Sequence, residues 1–408
     1  MRVSGSDGHG SGDPSDDARP QVAVVYGTRP EVIKMSPVVR ALEERSHQVR
    51  LRKIFSGQHR ELAADLFAAL GMEPDVDLEV MDEGQTLEAV GARCLEGFAG
   101  VFGGEPPDCV LVQGDTSTVY FAALAAYFHR LPVGHVEAGL RSHDKFAPFP
   151  EEMMRRMTDT LTDFHFAPTP RAAENLAAEG IGGDDVFVTG NTVVDAVRLA
   201  ARQADRHVNR ELRRWTTRHR RFVVVTLHRR ESFDGALGRI LRAVRAFAAS
   251  HPDVRFIYPV HPNPSVREPA ESILRGCERV DLVDPLPYLD MVYLLSRCTT
   301  ILTDSGGLQE EGPALGKRVL VAREGTERPE GVEAGVAELV GSNPERITAA
   351  LERELAADRS EVAGAGATPY GDGRAGRRIA DVVASRLTGG SRRTSDWRPG
   401  KERMVAGL

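Results

Sequence analysis

Short unbroken apolar runs, each closed by a turn and followed by apolar residues at helical spacing, recur along this chain and leave it few folds to choose from. The first is Val22 to Tyr26. The turn Gly27, Thr28, Arg29, Pro30 follows, and then Val32, Ile33, Met35, Val38, Val39 and Leu42 repeat with helical period through Glu44. A run that does not alternate is the mark of a strand buried on both faces, as in a parallel sheet. Similar runs stand at Cys109 to Val112, Val133 to Val136, Phe164 to Ala167 and Val186 to Val188. A second series covers Phe222 to Leu227, Arg255 to Val260, Val280 to Val283, Thr300 to Leu302 and Arg318 to Val321, with helical patterns such as Leu237 to Ala249 and Tyr288 to Leu295 between them. Strands alternating with helices wind into βαβ units and a parallel sheet.

A chain of 408 residues exceeds the ~250–300 at which a single core stops growing, so two such sheets, an α/β pair of Rossmann-like domains, are expected. The divisions read as a disordered tail over 1–19, a first domain over 20–195, a nucleotide-binding second domain over 196–370, a helix over 371–388 returning to the first domain, and a disordered tail over 389–408. Both tails are rich in small, polar and charged residues, with little to bury against their ordering entropy. A net charge of −7 argues against broad contact with nucleic acid or an anionic membrane. No apolar run approaches the ~18 residues of a membrane span, and no secretory signal opens the chain. Cys94, Cys109, Cys277 and Cys298 show no metal or disulfide spacing, so free thiols and a cytoplasmic location are expected.

Ligands of doubly wound sheets bind beyond the carboxyl ends of the strands, so the residues there are the candidates. Arg29 and Lys34 open the helix after the first strand. A helix N-terminus with nearby cations favours an anion, although a solvated Arg and a helix-face Lys explain the same residues. Ser305, Gly306 and Gly307 follow a strand and lead into Glu310 and Glu311. Such a turn lets backbone approach a phosphate, or is an ordinary glycine turn with a helix cap. Asp115, Glu137, Glu151 and Glu152 lie at or near strand ends, where partly buried carboxylates are paired or used. Glu152 also suits a plain helix-start acid. His228, followed by Arg229 and Arg230, can donate charge-assisted hydrogen bonds to a departing phosphate. His261 sits similarly and reads first as structural.

Taken together, YGTRPEVIKMSPVVRAL, SGQHREL, VQGDTSTVYFAALAAYF, VGHVEAGLRS, PFPEE, VTGNTVVDAV, YPVHPNP, TDSGGLQEEGPALGKRVLV and TERPEGVEAG resemble the motifs of the non-hydrolysing UDP-N-acetylglucosamine 2-epimerases over about Val22 to Leu387. The resemblance implies the GT-B fold, with the active site in the cleft between two Rossmann-like domains. It also implies interconversion of UDP-N-acetylglucosamine and UDP-N-acetylmannosamine, by loss and re-addition of UDP through a 2-acetamidoglucal, without NAD, metal or other cofactor. It further implies Asp115, Glu137 and Glu151 as catalytic acids and His228 beside the diphosphate. Arg29 and Lys34 are then implied in the first-domain half of the nucleotide cleft. Ser305, Gly306, Gly307, Glu311 and Arg328 are implied in the second-domain half, with Glu311 on the ribose. The expected partners are the UDP-sugar substrate and a second copy of the chain in a homodimer.

The chain departs from the family pattern in places. Met154 stands where relatives usually carry Asn, with Arg155 retained. The Gln58 to Glu61 segment and His261 partly fit an activator site for a second substrate molecule, with Gln58, Glu61 and His261 as its candidates, but Gly84 and Glu61 replace an Arg and a Gln found there, so near-hyperbolic kinetics are expected. Competing readings are a related hexosamine as substrate, a hydrolysing epimerase, a GT-B glycosyltransferase, and a non-catalytic sugar-nucleotide binder.

Overall fold

The computed structural model describes residues 17–58, 66–82, 84–228, 235–357 and 368–400. Among them the first domain is built on a parallel sheet of β1 (Gln21–Tyr26), β2 (Arg50–Phe55), β3 (Val76–Asp77), β4 (Cys109–Gln113), β5 (Val133–Val136), β6 (Phe164–Ala167) and β7 (Val186–Val188). Their order is β3-β2-β1-β4-β5-β6-β7. Helices α1 (Arg29–Glu43), α2 (Leu87–Gly104), α3 (Ser117–Phe128), α4 (Glu151–Leu161) and α5 (Pro170–Ala178) connect its strands.

After α6 (Thr192–His207) and α7 (Arg210–Arg218) comes the second sheet. It holds β8 (Phe222–Thr226), β9 (Arg255–Pro259), β10 (Val280–Val283), β11 (Thr300–Thr303), β12 (Val319–Val321) and β13 (Ala337–Leu339), in the order β10-β9-β8-β11-β12-β13. Between its strands and beyond run α8 (Ala236–Ser250), α9 (Pro264–Leu274), α10 (Tyr288–Arg297), α11 (Leu308–Ala314), α12 (Pro329–Glu333), α13 (Pro344–Ala356) and α14 (Ala375–Thr388). Every strand pair is parallel. The molecule is an α/β pair of Rossmann-like domains.

Strands legible as apolar runs are the buried ones: β1 and β4 are buried at every residue. Three strands of the structure carry no such signal. β2 (RLRKIF) is only half-buried over its first residues and tolerates charge, while β3 and β13 are edge strands of two and three residues.

The division expected at 195/196 falls inside α6, one continuous helix. Its Val193, Val194, Val197 and Ala200 join a core that also takes Tyr288, Val292 and Ala314 from the second domain. α14 lies in the same core through Ile379, Ala380, Val382 and Val383. It approaches α1 so closely that a Cβ on Gly376 would fall 2.5 Å from the Pro37 carbonyl oxygen. Asp195 on α6 accepts the Ala375 and Gly376 amides at 3.2 and 3.0 Å, which fixes the start of α14.

The tail expected to be disordered from Gly389 is instead packed through Gly400. The Trp397 ring is buried and its amide donates to the Val188 carbonyl at 2.7 Å. The Asp381 carboxylate accepts the Arg393 and Thr394 amides, both at 2.7 Å. One large aromatic and one buried acid anchor a segment whose average composition has little to bury. Residues 17–19 are described and the rest of the N-terminal tail lies outside the described residues.

Candidate active site

Both sheets reverse strand order at one place, between β1 and β4 in the first and between β8 and β11 in the second. Crevices form at such switch points. In the first domain, the buried Glu31 ties together the turns on either side of this point. Its carboxylate accepts the Gly27 amide at 2.6 Å and the Thr28 and Thr116 hydroxyls at 2.9 and 2.7 Å, joining the turns after β1 and β4. Burial pushes this carboxyl up to about 7 against the pull of those donors.

Asp115 follows Gly114 at the end of β4. The turn is held by His135 of β5, whose ring lies between the Gly114 carbonyl (2.8 Å) and Asp159 on α4 (2.7 Å). Asp159 also accepts Arg141 at 2.7 Å and the Gly139 amide at 3.2 Å. Burial would raise its carboxyl, but His135 and Arg141 hold it at about 2. A buried ion pair of this kind gives a fixed geometry more surely than stability.

Glu137 is the centre of the first-domain half. It follows β5 directly, in the left-handed region at φ 71°, and is buried. Lys34 of α1 pairs with its Oε2, Asn191 donates to the same oxygen at 3.3 Å, and Arg155 of α4 reaches Oε1 at 3.4 Å and the backbone carbonyl at 2.6 Å. Arg155 also pairs with Asp115, so one guanidinium binds both carboxylates. Burial would push Glu137 up, yet Lys34 and Arg155 outweigh it and hold the carboxyl at about 2.

The second domain meets this cluster through α11 and the turn before α12. Glu310 accepts Arg328 Nε at 2.8 Å, approaches Asn191 at 3.4 Å and lies 3.9 Å from Lys34. Arg328 also donates to Glu327 at 2.6 Å. Gly306 lies directly under this guanidinium, where a Cβ would fall 2.7 Å from Arg328 Nη1. Glu311, the next residue on α11, is pushed up to about 7 by burial and by Glu310, against Lys34 and Arg29. The same Arg29 and Glu311 act on Tyr288, whose hydroxyl is buried without a hydrogen-bond partner among the described residues.

His228 follows β8. Its amide donates to both Asp304 oxygens, at 3.2 and 3.0 Å, and its Nδ1 lies 3.4 Å from the same carboxylate. Asp304 is itself fully buried in the turn that carries Ser305. The exposed His261 ring stacks on His228, centroids 5.9 Å apart. Arg229 and Arg230 lie outside the described residues, as does Glu61.

Sequence-predicted residues thus fall into two groups. Lys34, Glu137 and Asp115 meet Arg328 in one charge network, while His228 donates to Asp304, His261 stacks on His228, and Ser305 follows Asp304 in the turn with its amide on the Thr303 hydroxyl. Glu151 opens α4 with Oε2 buried and unpartnered among the described residues, whereas Glu152 accepts the Ser142 and His143 amides and shapes the preceding loop. Gln58 accepts the Thr118 hydroxyl at 2.9 Å. Gly84 stands in open space at φ +74°, and Met154 Sδ faces the Ser117 hydroxyl at 3.9 Å.

Glu310, Asn191 and Asp304 were not read as site residues from sequence. Glu310 sits beside Glu311, and a helical step of about 100° turns the two to different partners. Asn191 looks like a helix cap, and does accept the Val193 amide. The only available signal was a polar residue directly after a strand or turn.

Comparison with known proteins places this arrangement. The family model described as UDP-N-acetylglucosamine 2-epimerase matches residues 40–384. The UDP-N-acetylglucosamine 2-epimerase of Yersinia pestis is 44% identical over 371 residues, 88% of this chain and 97% of that protein. That of Escherichia coli K12 is 42% identical over 370 residues, 89% and 98% of the two chains. The crystal structure of the UDP-GlcNAc 2-epimerase from Neisseria meningitidis, bound to UDP-GlcNAc, superposes with a TM-score of 0.80 at 37% identity, covering 89% of this chain and 99% of that one. At this identity and coverage, the chain belongs to the UDP-N-acetylglucosamine 2-epimerase family.

Proposed function

We propose that the protein is a non-hydrolysing UDP-N-acetylglucosamine 2-epimerase that interconverts UDP-GlcNAc and UDP-ManNAc. The observation that carries the reading is Glu137. A carboxylate fixed by Lys34, Asn191 and Arg155 at the carboxyl end of β5, with Arg328 of the other domain nearby and packed on the Ser-Gly-Gly turn, is suited to handle a proton beside a bound diphosphate. In the proposed reaction a carboxylate takes the C2 proton, the C2–H electron pair forms the C1–C2 double bond, and the C1–O bond breaks with UDP leaving. UDP oxygen then re-adds to C1 while a proton is delivered to the opposite face of C2. Asp115, Glu137 and Glu151 are the candidate acids and bases, and coupled groups in one pocket share their titration.

In this reading Arg29, Lys34, Ser305, Gly306, Gly307 and Arg328 hold the diphosphate, Glu311 the ribose, and His228 the departing oxygen, with Asp304 fixing its ring. Gln58 and His261 are the residues left for an activator site. No disulfide joins the cysteines among the described residues, which fits a reducing compartment and the cytoplasm. A homodimer is proposed on an exposed aromatic stripe of α3.

The test is incubation with UDP-GlcNAc alone in heavy water. The expected result is a mixture with UDP-ManNAc carrying deuterium at C2. Free sugar and UDP as the main products would assign the hydrolysing reaction, and no turnover without an acceptor would point to a glycosyltransferase.

A further inference from the structure

Lys34 is shared between two buried carboxylates from different domains. Glu137 belongs to the first domain, Glu310 to the second, and the Lys34 ammonium pairs with the former while standing 3.9 Å from the latter. Asn191 repeats the arrangement, with its amide nitrogen 3.3 Å from Glu137 and 3.4 Å from Glu310. Glu310 uses its other oxygen to hold Arg328 at 2.8 Å, beside the Gly306 turn. A carboxylate so deeply buried is costly unless its charge is matched, and each of its partners is a residue the proposed reaction needs.

We propose that Glu310 is a positioning residue of the reaction. By drawing on Lys34 and Asn191 from the second domain it limits how tightly they bind Glu137, and by fixing Arg328 it makes that setting depend on the two domains being together. The inference rests on the epimerase reading.

Two carboxylates compete here for one ammonium. A lysine that faces one carboxylate holds it fully, whereas a lysine drawn partly towards a second holds the first less tightly and leaves Glu137 freer to handle a proton. The charged or titratable groups facing this pair are Lys34 from α1, Arg155 from α4, Asp115 after β4, Glu311 beside Glu310 on α11, Arg328 and Glu327 before α12, and Tyr370 after the last sheet. Removing the Glu310 charge leaves this set one anion short, and Lys34 moves wholly onto Glu137. Arg328, which keeps Glu327, then loses its fixed approach to the Gly306 turn.

The test compares Glu310→Gln, which keeps shape and removes charge, with Glu310→Asp, which keeps charge. For Glu310→Gln, kcat and the rate of deuterium entry at C2 are expected to fall together by about 10²-fold, the scale on which misplaced groups act. UDP affinity by calorimetry should fall much less than kcat, because Arg328 keeps Glu327, and the melting temperature should stay within a few degrees, as a mainly transition-state loss requires. Glu310→Asp should recover most of the rate. Unchanged kcat in Glu310→Gln, or UDP affinity and melting temperature lost in proportion to rate, overturns the proposal. If Glu310→Gln does not fold, Glu310→Asp decides: a severalfold lower kcat with UDP affinity and melting temperature kept supports the positioning role, and wild-type kcat, or UDP affinity lost in proportion to rate, contradicts it. A wild-type protein that fails to exchange C2 refutes the epimerase reading instead, before any variant is compared.

Discussion

At the scale of single residues, Glu137 is both strained and strongly paired. A non-glycine residue at φ 71° is uncommon and persists only where its surroundings over-determine it. Here the Glu137 amide donates to the Phe166 carbonyl at 3.0 Å and its own carbonyl accepts Arg155 at 2.6 Å, which fixes the backbone on both sides. The carboxyl sits at about 2, below its ordinary 4.5, because Lys34 and Arg155 outweigh burial. The unfolded chain therefore takes up a proton at a pH where the folded chain still excludes it. The resulting stability, on the order of 3 kcal/mol, is present above about pH 4.5 and is lost as pH falls towards 2. Glu137→Gln should accordingly be less stable than wild type at neutral pH, with the gap closing as pH falls from about 4.5 towards 2 in urea unfolding. Parallel curves across that interval would mean that the carboxylate is not the pivot of the network.

At the scale of elements, the segment after α14 offers a clean test of what holds an unpromising stretch in place. Trp397→Ala removes a buried ring and should cost about 3 kcal/mol in urea unfolding, while opening Arg392 and Arg393 to trypsin. Asp381→Ala, which removes the acceptor of the Arg393 and Thr394 amides, should give the same cleavage with Trp397 intact. Resistance of both variants to trypsin would show that other contacts hold the strap. This segment also shows where sequence reading stops. Strands β1, β4, β5, β8 and β11 were legible because burial on both faces leaves mainly apolar residues. β2 was not, because its partly exposed residues accept Arg and Lys, and the strap was not, because one Trp vanishes in a composition average. The site divides the same way. Asp115, Glu137 and the Ser305–Gly307 turn stand at or just beyond strand ends, and Lys34 lies in the helix that follows β1, positions visible in sequence. The partnership of Glu310 with Lys34 joins residues 276 positions apart, 310 less 34, and only the assembled fold displays it.

At the scale of the whole molecule, α3 has more apolar surface than its own domain covers. Its inner residues, among them Val119, Ala122, Ala123 and Ala126, are buried against the sheet and α2. Tyr120, Leu124, Tyr127 and Phe128 form a second stripe at helical spacing, and Tyr127 and Phe128 are 60% and 62% exposed at its end. Two adjacent aromatic rings left in water on an otherwise apolar helix are the surface on which the proposed homodimer is placed. A second copy would meet the same stripe across a two-fold axis, since a closed homodimer places like patches against one another. Sedimentation equilibrium should then give twice the 44.4 kDa chain mass at micromolar concentration. A Tyr127→Asp/Phe128→Asp double variant should sediment as a single chain with unchanged far-ultraviolet dichroism, because both side chains already face solvent within one copy. A wild-type monomer would remove the homodimer from the proposal. A double variant that stays dimeric would move the interface to another face and leave the aromatic pair unexplained.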